Sequence, residues 1–427
     1  MPFDHLSAPA DASQTAHTRK IHVCGTHRTM APEDTLARVT PLFPVMGITR
    51  VANVTGLDKV GIPVVMVTRP NARSIAVSQG KGASLAAAKA SGVMESVEVY
   101  HAERITLPVK FASYEDLRWS HRVVDVSRLP RLAGSSFSPH TPMLWIEGTD
   151  LMTDTPALVP YEMVSMNYTL PLPPGSGAFL ASSNGLASGN HRLEAITHGL
   201  NEVVERDALT LWHQRGAAGR AARRLDLSTV TDPLCRSLIA RFDAAAVEVA
   251  AWDLTTDVGL PTFLVRVIEG DARLESTIRP ATGSGTHTTR EVALARALTE
   301  AAQSRLTFIS GARDDMPRDE YTAHLSPDLR GRWRREAHGD GPGCDFAGCP
   351  TAPAQTLAED LDHQLSRLRA VGITEAVAID LTKPEFGIPV VRVVVPGLEG
   401  VDHSPDYLLG ARASTVSDES RAEEVRQ

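Results

Sequence analysis

With 427 residues, the chain is long enough for one large domain or for two to three smaller domains with a sizeable core. The net charge of −8 and the aromatic content of 5% exclude a general basic field and stacking platforms, so we expect no nucleic-acid partner. We find neither a signal peptide nor an apolar run of membrane-helix length, and the four scattered cysteines are typical of a reducing compartment, so we expect a cytoplasmic protein without a membrane partner.

The two ends of the chain have compositions that differ from the rest. Residues 1–18 are polar and rich in Ala, Ser and Thr, which predicts a flexible N-terminal arm. Residues 413–427 are charged and rich in Ser, Glu and Arg, which predicts a disordered tail. Between them we expect a single catalytic domain over 19–412, with a polar surface insertion at about 314–353.

Three segments of the chain share one plan, namely Leu57–Pro70, Asp253–Glu269 and Asp380–Pro396. Each has a short extended piece, a loop that ends in Gly-Ile-Pro or Gly-Leu-Pro, and then a run of β-branched residues. This pattern predicts hairpins of a mostly buried sheet. The unequal spacing of the copies excludes a solenoid and predicts a fold that reuses one sheet-plus-helix unit.

Helical periodicity marks the stretches between and after these hairpins. A first short helix is predicted to begin at Pro32, because Glu33 and Asp34 follow it in the first turn and an apolar stripe continues from there. Four longer helices are predicted over Leu85–Tyr100, Asn190–Trp212, Arg290–Ile309 and Ala358–Val371.

The predicted helix that begins at Asn190 carries a polar stripe on an otherwise apolar surface. The stripe residues fall at i, i+4, i+8 and i+11 and are Glu194, His198, Glu202 and Glu205. No Lys or Arg interleaves them, and Arg206 lies beside them. A divalent cation would relieve the repulsion between the carboxylates, so the stripe favours metal or phosphate chemistry, and a solvated acidic face is the alternative.

Two further predicted helices carry polar stripes. The stripe residues are Ser91, Glu95 and Glu98 on one helix and Arg296, Glu300 and Gln303 on the other. Taken alone, Arg296 and Glu300 read as a simple i, i+4 ion pair. Before the first of these helices, the segment 78–82 (SQGKG) reads as a plain turn, with phosphate binding through its amides and lysine as the alternative.

Taken as a set, the three stripes predict a nucleotide that is bound through metal-chelated phosphates, outside the P-loop and Rossmann plans. The candidate Mg²⁺ ligands are Glu95, Glu98, Glu202 and Glu205. The candidate phosphate contacts are Arg28, Arg206 and Arg296. The candidate orienting residues are Thr35, Ser91, Asn190 and Gln303.

Two other features have simpler interpretations that we prefer at this point. His287 is expected to be a loop histidine, with a ligand role as the alternative. Cys344 and Cys349 are expected to be free thiols on a loop, with a zinc site or a sulfur relay as the alternative.

Five motifs along the chain together resemble the YcaO superfamily, whose ATP-dependent enzymes activate backbone amides. The motifs are THRTMAPEDT, GITRVANVTGLDKVGIPVVMVTRP, SQGKGASLAAAKASGVMESVE, SGNHRLEAITHGLNEVVERDAL and TREVALARALTEAAQSR. The resemblance covers about residues 20–412. It implies a YcaO-like α+β fold whose repeated sheet-plus-helix units pack around an ATP site lined by three helices, and it implies a homodimer.

The resemblance also implies roles for single residues. Arg28 stands where the family often has lysine, and Thr35 stands where it has serine. The positions that match the family's nucleotide and magnesium pattern directly are Ser91, Glu95, Glu98, Asn190, Glu194, Glu202, Glu205 and Arg206. In the third helix the implied positions are Arg296 and Gln303, although Arg290 competes for the place of Arg296.

The mechanism that this resemblance implies has three steps. A nucleophile adds to a peptide carbonyl, ATP phosphorylates the resulting oxyanion, and phosphate leaves with the former amide oxygen. Phosphate is a good leaving group where the amide oxygen is a very poor one. Mg²⁺ and arginine neutralise the transferred phosphoryl group, and Arg206 and Arg296 are the candidates for this role.

The nucleophile distinguishes the subgroups of the superfamily. Cyclising members use a Cys, Ser or Thr side chain of the peptide, and many end in a proline-rich tail, whereas this chain ends AEEVRQ. The segment VVVPGLEGVDHSPDYLLGARA resembles members that work beside a TfuA-like partner and install thioamides with sulfide. We therefore expect thioamidation of a peptide or protein backbone. The alternatives are an azoline-forming cyclodehydratase, a peptide-binding scaffold without ATP turnover, and a carboxylate-activating ligase.

Overall fold

The computed structural model describes residues 18–270, 278–313, 327–339, 342–400 and 406–426. The predicted N-terminal arm lies outside the described residues except for Thr18, and so does part of the predicted insertion, at 314–326 and 340–341. No helix of the described ranges is long and apolar enough to span a membrane.

The helices and strands of the described residues are numbered here in chain order. The helices are α1 (Pro32–Val39), α2 (Phe43–Met46), α3 (Leu85–Glu103), α4 (Tyr114–Leu117), α5 (Arg192–Gln214), α6 (Ala217–Ala221), α7 (Pro233–Ala244), α8 (Arg290–Ser310), α9 (Pro327–His338), α10 (Leu357–Ala370) and α11 (Ala411–Arg426). The strands are β1 (Arg50–Asn53), β2 (Val64–Thr68), β3 (Val77–Lys81), β4 (Val109–Ala112), β5 (Arg131–Leu132), β6 (Met143–Asp150), β7 (Thr155–Pro160), β8 (Leu186–Ser188), β9 (Leu225–Asp226), β10 (Val247–Asp253), β11 (Thr262–Glu269), β12 (Ala281–Thr286), β13 (Cys344–Asp345), β14 (Val377–Asp380), β15 (Val390–Val394) and β16 (Tyr407–Leu408).

Three antiparallel sheets carry the fold. Two are three-stranded, in the orders β1-β2-β3 and β10-β11-β12. The third has six strands in the order β4-β6-β14-β15-β8, with β7 paired to β6. Two short pairs, β9 with β13 and β5 with β16, complete the pairing.

A hairpin lies at each of the three repeated motifs, one in each main sheet, but the first strand of each ends at or before the start of the predicted segment, at Asn53, Asp253 and Asp380. The repeated β-branched run forms β2, β11 and β15, and each of these strands pairs with the strand that precedes its loop. The glycine of the repeated Gly-Ile/Leu-Pro motif has the same left-handed backbone in every copy, with φ of +73° at Gly61, +76° at Gly259 and +62° at Gly387. Glycine is favoured there because side chains disfavour positive φ.

Two of the three long polar-striped helices, α3 and α8, each lie unusually close to a strand. A Cβ atom added at Gly80 of β3 would lie 2.0 Å from the carbonyl oxygen of Ala88 on α3. A Cβ atom at Gly285 of β12 would lie 2.3 Å from the carbonyl oxygen of Ala293 on α8. These glycines let helix and strand backbones approach each other, which fixes the polar stripes relative to the sheets.

The hydrophobic core follows this arrangement. One buried cluster joins α3 to the six-stranded sheet and to β2, through residues such as Val97, Trp145 and Val67. A second joins α7 and α8 to the β10–β12 sheet, through residues such as Phe242, Leu298 and Phe263. The mixed helix-and-sheet class predicted from the sequence is confirmed, and the four long helices begin and end within three residues of the predicted bounds.

Two predictions about irregular segments are wrong. The segment SQGKG (78–82) forms neither the predicted turn nor the alternative phosphate loop. Its first four residues belong to β3 (Val77–Lys81) of the first sheet. The tail predicted to be disordered forms α11, whose second residue, Arg412, pairs with the fully buried Asp207 at 2.9 Å. The polar composition of the tail does not predict this helix. The start of the helix is held by the ion pair of Arg412 with Asp207 on α5 and by the buried Ala413.

The predicted polar insertion is also more ordered than a surface loop where the structure describes it. Pro327–His338 forms α9, and Cys344–Asp345 forms β13, which pairs in parallel with β9. The local composition of the insertion does not predict that β13 pairs with β9, because β9 is more than a hundred residues away in the chain.

Candidate active site

Glu205, one of the α5 carboxylates, is held by hydrogen bonds from the second sheet. Glu205 accepts from the Ser284 hydroxyl at 2.7 Å and from the Thr286 amide at 2.9 Å, so it is fixed against β12. Glu202, one turn earlier, lies 3.8 Å from the Arg206 guanidinium. The Glu205 end of the α5 stripe therefore faces β12.

The carboxylates of α3 approach the same region from the other side. Glu98 accepts from the Ser188 amide at 2.8 Å and from the Ser188 hydroxyl at 2.6 Å, which ties α3 to β8. Burial, with a smaller contribution from the nearby Glu95 and Glu202, raises the pKa of Glu98 to about 8, although the hydrogen bonds from Ser188 oppose this change. Burial also raises the pKa of Glu95 to about 7, although Lys81 opposes this change.

These carboxylates form one electrostatic cluster with too few cations of its own. Burial raises the pKa of Glu202, with Glu205 adding to the rise and Arg206 opposing it. A group of buried carboxylates whose pKa values rise in this way is destabilised in its charged form unless a cation joins it. Carboxylate oxygens are the ligands that Mg²⁺ prefers. The residues present therefore fit Mg²⁺ bound between α3 and α5.

Basic side chains reach the cluster from α5 and α8. Among the residues that the structure describes, the Nε atoms of Arg206 and Arg296 are buried and have no hydrogen-bond partner. Unpaired buried guanidinium N–H groups are costly unless an anion accepts from them. They suit the phosphate oxygens of a nucleotide whose metal ion lies at the carboxylates.

Glu300 of α8 has a different partner from the one that the i, i+4 spacing suggests. Its carboxylate pairs with Lys81 of β3 and accepts from the Ser284 amide at 3.2 Å, and no ion pair between Arg296 and Glu300 is found in the described residues. Burial acts to raise the pKa of Glu300, but Lys81 and Arg206 outweigh it and lower the pKa to about 2. Arg296 thus stays available for a ligand.

Glu194 organises the segment that leads into α1. It accepts from the Thr29 amide at 3.0 Å, from the Thr29 hydroxyl at 2.9 Å and from the Asn190 amide at 3.2 Å. The Nε atom of Arg28 lies 3.4 Å from the same carboxylate. Glu194, buried at 1% exposure, therefore positions Arg28 beside the cluster more directly than it offers itself to a ligand.

The remaining predicted residues lie around this centre. The Thr35 hydroxyl of α1 lies 3.1 Å from the Asn190 side-chain oxygen, which brings these two predicted residues together. Ser91 lies one turn before Glu95 on α3, and Gln303 lies one turn after Glu300 on α8; both are half-buried. For neither is a side-chain hydrogen bond to another predicted site residue described, so their ligand roles stay predictions.

Sequence reasoning considered Lys81 only as a phosphate contact and missed Arg392. The pairing of Lys81 with Glu300 was not predicted, because the two residues are 219 positions apart in the chain. Arg392 of β15 is 2% exposed, and burial lowers its pKa to about 10. Its Nη2 donates to the Ser182 carbonyl at 2.6 Å, while its Nε and Nη1 have no partner in the described part of the chain. The sequence feature that could have indicated a buried functional arginine is the position of Arg392 inside the apolar run VVRVVV.

The cysteines and His287 complete the inventory. Cys344 and Cys349 are free, and burial raises the pKa of Cys349 to about 12, which makes it a poor nucleophile and a poor metal ligand. This supports the interpretation as free thiols. His287 is buried and contacts His27, so it is more than an exposed loop histidine.

The arrangement of three polar-striped helices, with buried carboxylates and unpartnered arginine Nε atoms between them, fits the class of α+β proteins that bind a nucleotide together with Mg²⁺. A family model that describes the ATP- and Mg²⁺-binding YcaO cyclodehydratases matches residues 79–399. The chain is also 36% identical to a protein of Rhizobium leguminosarum bv. trifolii called "Uncharacterized protein in tfuA 3'region", over 90% of this chain and 92% of the relative. The chain therefore belongs to the YcaO family.

Solved structures agree in fold. The structure of YcaO from Methanopyrus kandleri bound with AMPPCP and Mg²⁺ matches with a TM-score of 0.70 at 23% identity, over 90% of this chain and 95% of the other. A heterocyclase in complex with substrate and cofactor matches with a TM-score of 0.74 at 23% identity, and the match covers 89% of this chain and about half, 54%, of the other. The predicted family and its cofactors, ATP and Mg²⁺, are confirmed at the level of the family.

Proposed function

We propose that this enzyme uses ATP to phosphorylate the oxygen of a peptide backbone amide and replaces that oxygen by sulfur. Sulfide is the external nucleophile, and a TfuA-like partner protein delivers it. The observation that supports this choice most directly is the 36% identity to the relative named for its place beside tfuA. The predicted homodimer belongs to the same proposal.

The residues of the site divide the work in this proposal. Glu95, Glu98, Glu202 and Glu205 hold Mg²⁺, which neutralises charge on the nucleotide phosphates when it is bound. Arg206 and Arg296 stabilise the phosphoryl group during its transfer, since their Nε atoms lie buried and without a partner among the described residues. Arg28, oriented by Glu194, completes the contacts to phosphate.

Cyclodehydration of a Cys, Ser or Thr side chain is the second candidate function. The name of the matching family model and the fold of the heterocyclase support it. Both reactions activate the same amide oxygen with ATP and differ only in the nucleophile. A scaffold without ATP turnover is less consistent with the site, because buried carboxylates with raised pKa values cost stability unless a cation joins them.

Mass spectrometry of a candidate peptide distinguishes these functions. The peptide is incubated with the enzyme, ATP, Mg²⁺, sulfide and a TfuA-type partner. We expect a mass gain equal to the exchange of one oxygen for sulfur, and we expect the Glu202→Ala variant to lose it. The matched control is Glu147→Ala, which removes an exposed glutamate of β6 outside the site. Loss of one water from the peptide would instead establish the cyclodehydratase.

A further inference from the structure

A surface segment beside the carboxylate cluster exposes three apolar side chains close together. Tyr168 is 40% exposed, Leu170 is 85% exposed and Leu172 is 47% exposed. We call these three side chains the apolar ridge. Single exposed apolar residues are normal on a protein surface, whereas a contiguous group of them indicates a binding surface. The neighbours of the ridge indicate which ligand it binds.

The first end of the segment that carries the ridge is fixed to α3. The Met166 amide donates to the Ala102 carbonyl at 3.0 Å. Ala102 lies one helical turn after Glu98, a candidate Mg²⁺ ligand, so the two residues are about 6 Å apart along the helix axis. The ridge begins two residues after Met166 and therefore starts beside the carboxylate cluster.

The second end of the segment is fixed by Arg392, the buried arginine of β15. Its Nη2 donates to the Ser182 carbonyl at 2.6 Å. Its guanidinium also interacts electrostatically with Glu202 of the carboxylate cluster and with Tyr168 of the ridge. Arg392 therefore connects the ridge with the nucleotide site.

The segment between these two ends is held in its shape by its own contacts. The Glu162 carboxylate accepts from the amides of Gly177, Ala178 and Phe179, at 2.6, 3.0 and 2.8 Å. Proline occupies three of the four positions in 171–174, which restricts the backbone further. A surface that is ordered in advance loses little conformational freedom when a ligand binds to it.

The surface next to the ridge carries an excess of positive charge. The carbonyl of the exposed Arg73 accepts from the Tyr168 amide at 3.1 Å, so Arg73 borders the ridge. Arg69 and Arg104 share the carboxylate of Glu103, at 2.8 and 2.7 Å. The Arg73 guanidinium donates to the backbone carbonyl of Glu103 at 3.5 Å, and no carboxylate pairs with it in the described part of the chain. This positive charge favours an acidic ligand.

A peptide substrate fits this surface better than a second copy of the chain. The amide must meet ATP at the carboxylate cluster, and the ridge is anchored one helical turn from that cluster. An extended peptide advances about 3.3 Å per residue, so the residues that reach the ridge lie a few positions from the modified amide. A second copy carries the same guanidinium groups on this surface, and like charges across an interface are unfavourable.

We propose that the apolar ridge and Arg73 dock the peptide substrate through apolar and acidic residues that lie close to the modified amide. This inference rests on the proposed function in one respect, namely that the substrate is a peptide, and it holds for either nucleophile. The ridge and Arg73 are separate from the candidate metal and phosphate residues. They therefore determine which peptide binds, and they leave the binding of ATP unchanged.

Fluorescence anisotropy of the full chain with Mg²⁺ and ATP tests docking without turnover. The probe is a short fluorescein-labelled peptide of leucine, glutamate and glycine, and two matched probes replace glutamate by lysine or leucine by serine. We expect saturable binding of the first probe, about tenfold weaker binding of the other two, and a loss of affinity with added salt. Equal affinity for all three probes, or no saturable binding of the first, would overturn the proposal.

Surface variants locate the docking site for this probe. Leu170→Ser should weaken binding about tenfold, because an apolar contact with the probe is lost. Arg73→Glu should weaken it about tenfold at low salt and less at high salt, because the lost attraction is electrostatic. The matched controls are Leu57→Ser, at a leucine that is 58% exposed, and Arg236→Glu on α7. An unchanged affinity in both ridge variants, or an equal loss in the controls, would contradict the proposal.

Sedimentation and capture of a TfuA-type partner test the other possible occupants of the ridge. We expect Leu170→Ser to leave the oligomeric state and the capture of the partner unchanged. A variant that changes the oligomeric state and keeps its affinity for the probe would show that a second copy covers the ridge. A variant that loses the partner and keeps its affinity for the probe would show that the partner does. Either result would overturn the proposal.

The mass-spectrometric peptide assay separates this inference from the proposed function. We expect Leu170→Ser and Arg73→Glu to raise the KM for the peptide and to leave kcat unchanged. Thioamide formation with an unchanged KM in both variants would support the proposed function and contradict the docking site. Weaker probe binding in both variants, with loss of water from the peptide in place of thioamide formation, would support the docking site and contradict the proposed function.

Discussion

Replacing Glu98 by glutamine should stabilise the metal-free protein at alkaline pH and abolish its response to Mg²⁺ and ATP. Burial and the neighbouring Glu95 and Glu202 raise the pKa of Glu98 from its ordinary value of 4.5 to about 8. A carboxyl group whose pKa is higher in the folded chain favours folding at low pH, and this contribution is lost as the pH rises through the folded-state pKa. The metal-free protein should therefore lose stability between pH 5 and pH 8.

The size of this loss follows from the difference in pKa. One pKa unit corresponds to about 1.4 kcal/mol, so Glu98 alone costs on the order of 3 kcal/mol between pH 5 and pH 8. Glutamine is neutral and keeps an acceptor oxygen for Ser188. Between pH 5 and pH 8 the free energy of unfolding of the Glu98→Gln variant should therefore fall by about 3 kcal/mol less than that of the wild type. In the wild type, Mg²⁺ with ATP at about a hundred times its Kd should restore roughly 3 kcal/mol at pH 8.

Urea unfolding at pH 5 and pH 8, with and without Mg²⁺ and ATP, measures the free energy of unfolding under each of these four conditions. Glu147→Gln is the control, because this exposed glutamate of β6 belongs to no such cluster. A chelator should remove the stabilisation of the wild type by Mg²⁺ and ATP. The reasoning fails if Glu98→Gln destabilises the protein equally at both pH values, or if the variant still gains stability from Mg²⁺ and ATP.

Two further substitutions test the scaffold around the site. Arg412→Ala should lower the free energy of unfolding by about 3–5 kcal/mol, because it leaves the buried Asp207 unpaired, and Arg421→Ala on the same helix should cost under about 0.5 kcal/mol in the same denaturation assay. Gly285→Ala should cost more than about 3 kcal/mol and weaken nucleotide binding measured by calorimetry, because the new Cβ would lie 2.3 Å from a carbonyl oxygen of α8. Gly56→Ala meets no atom within 4 Å and is its control; an equal loss in both glycine variants would contradict this account.

The elements that the sequence predicted well depend on short-range periodicity. Glu194, Glu202 and Glu205 share one face of the helix in any fold that forms it, so their spacing alone predicts that their side chains point in a common direction. The hairpin glycines were readable in the same way, since Gly61, Gly259 and Gly387 recur in one motif and adopt one backbone conformation. Recognition of the family motifs added the expectation that three separate stripes meet.

The features that the sequence did not predict depend on contacts between distant residues. The pairing of Lys81 with Glu300 joins β3 of the first sheet to α8, and without knowledge of it the spacing of Arg296 and Glu300 predicts a local ion pair. The order of α11 depends on Arg412 reaching Asp207, 205 residues away in the chain. The contact between the rings of His27 and His287 forms because the segment before α1 reaches the residue that follows β12. Spacing within one segment carries no information about such contacts.

The position of α5 explains how one rigid element serves both the phosphate contacts and the metal ligands of the proposed reaction. Residues four apart on a helix are about 6 Å apart along its axis, so Glu194, His198 and Glu202 occupy successive turns of one face. Glu194 orients Arg28, and Glu202 lies near the carboxylates of α3. The phosphate contacts and the metal ligands must act on one nucleotide, and a misplacement of about 1 Å can cost a hundredfold in rate. Placing residues for both on one buried helix keeps their separation constant, because α5 cannot move one set without the other.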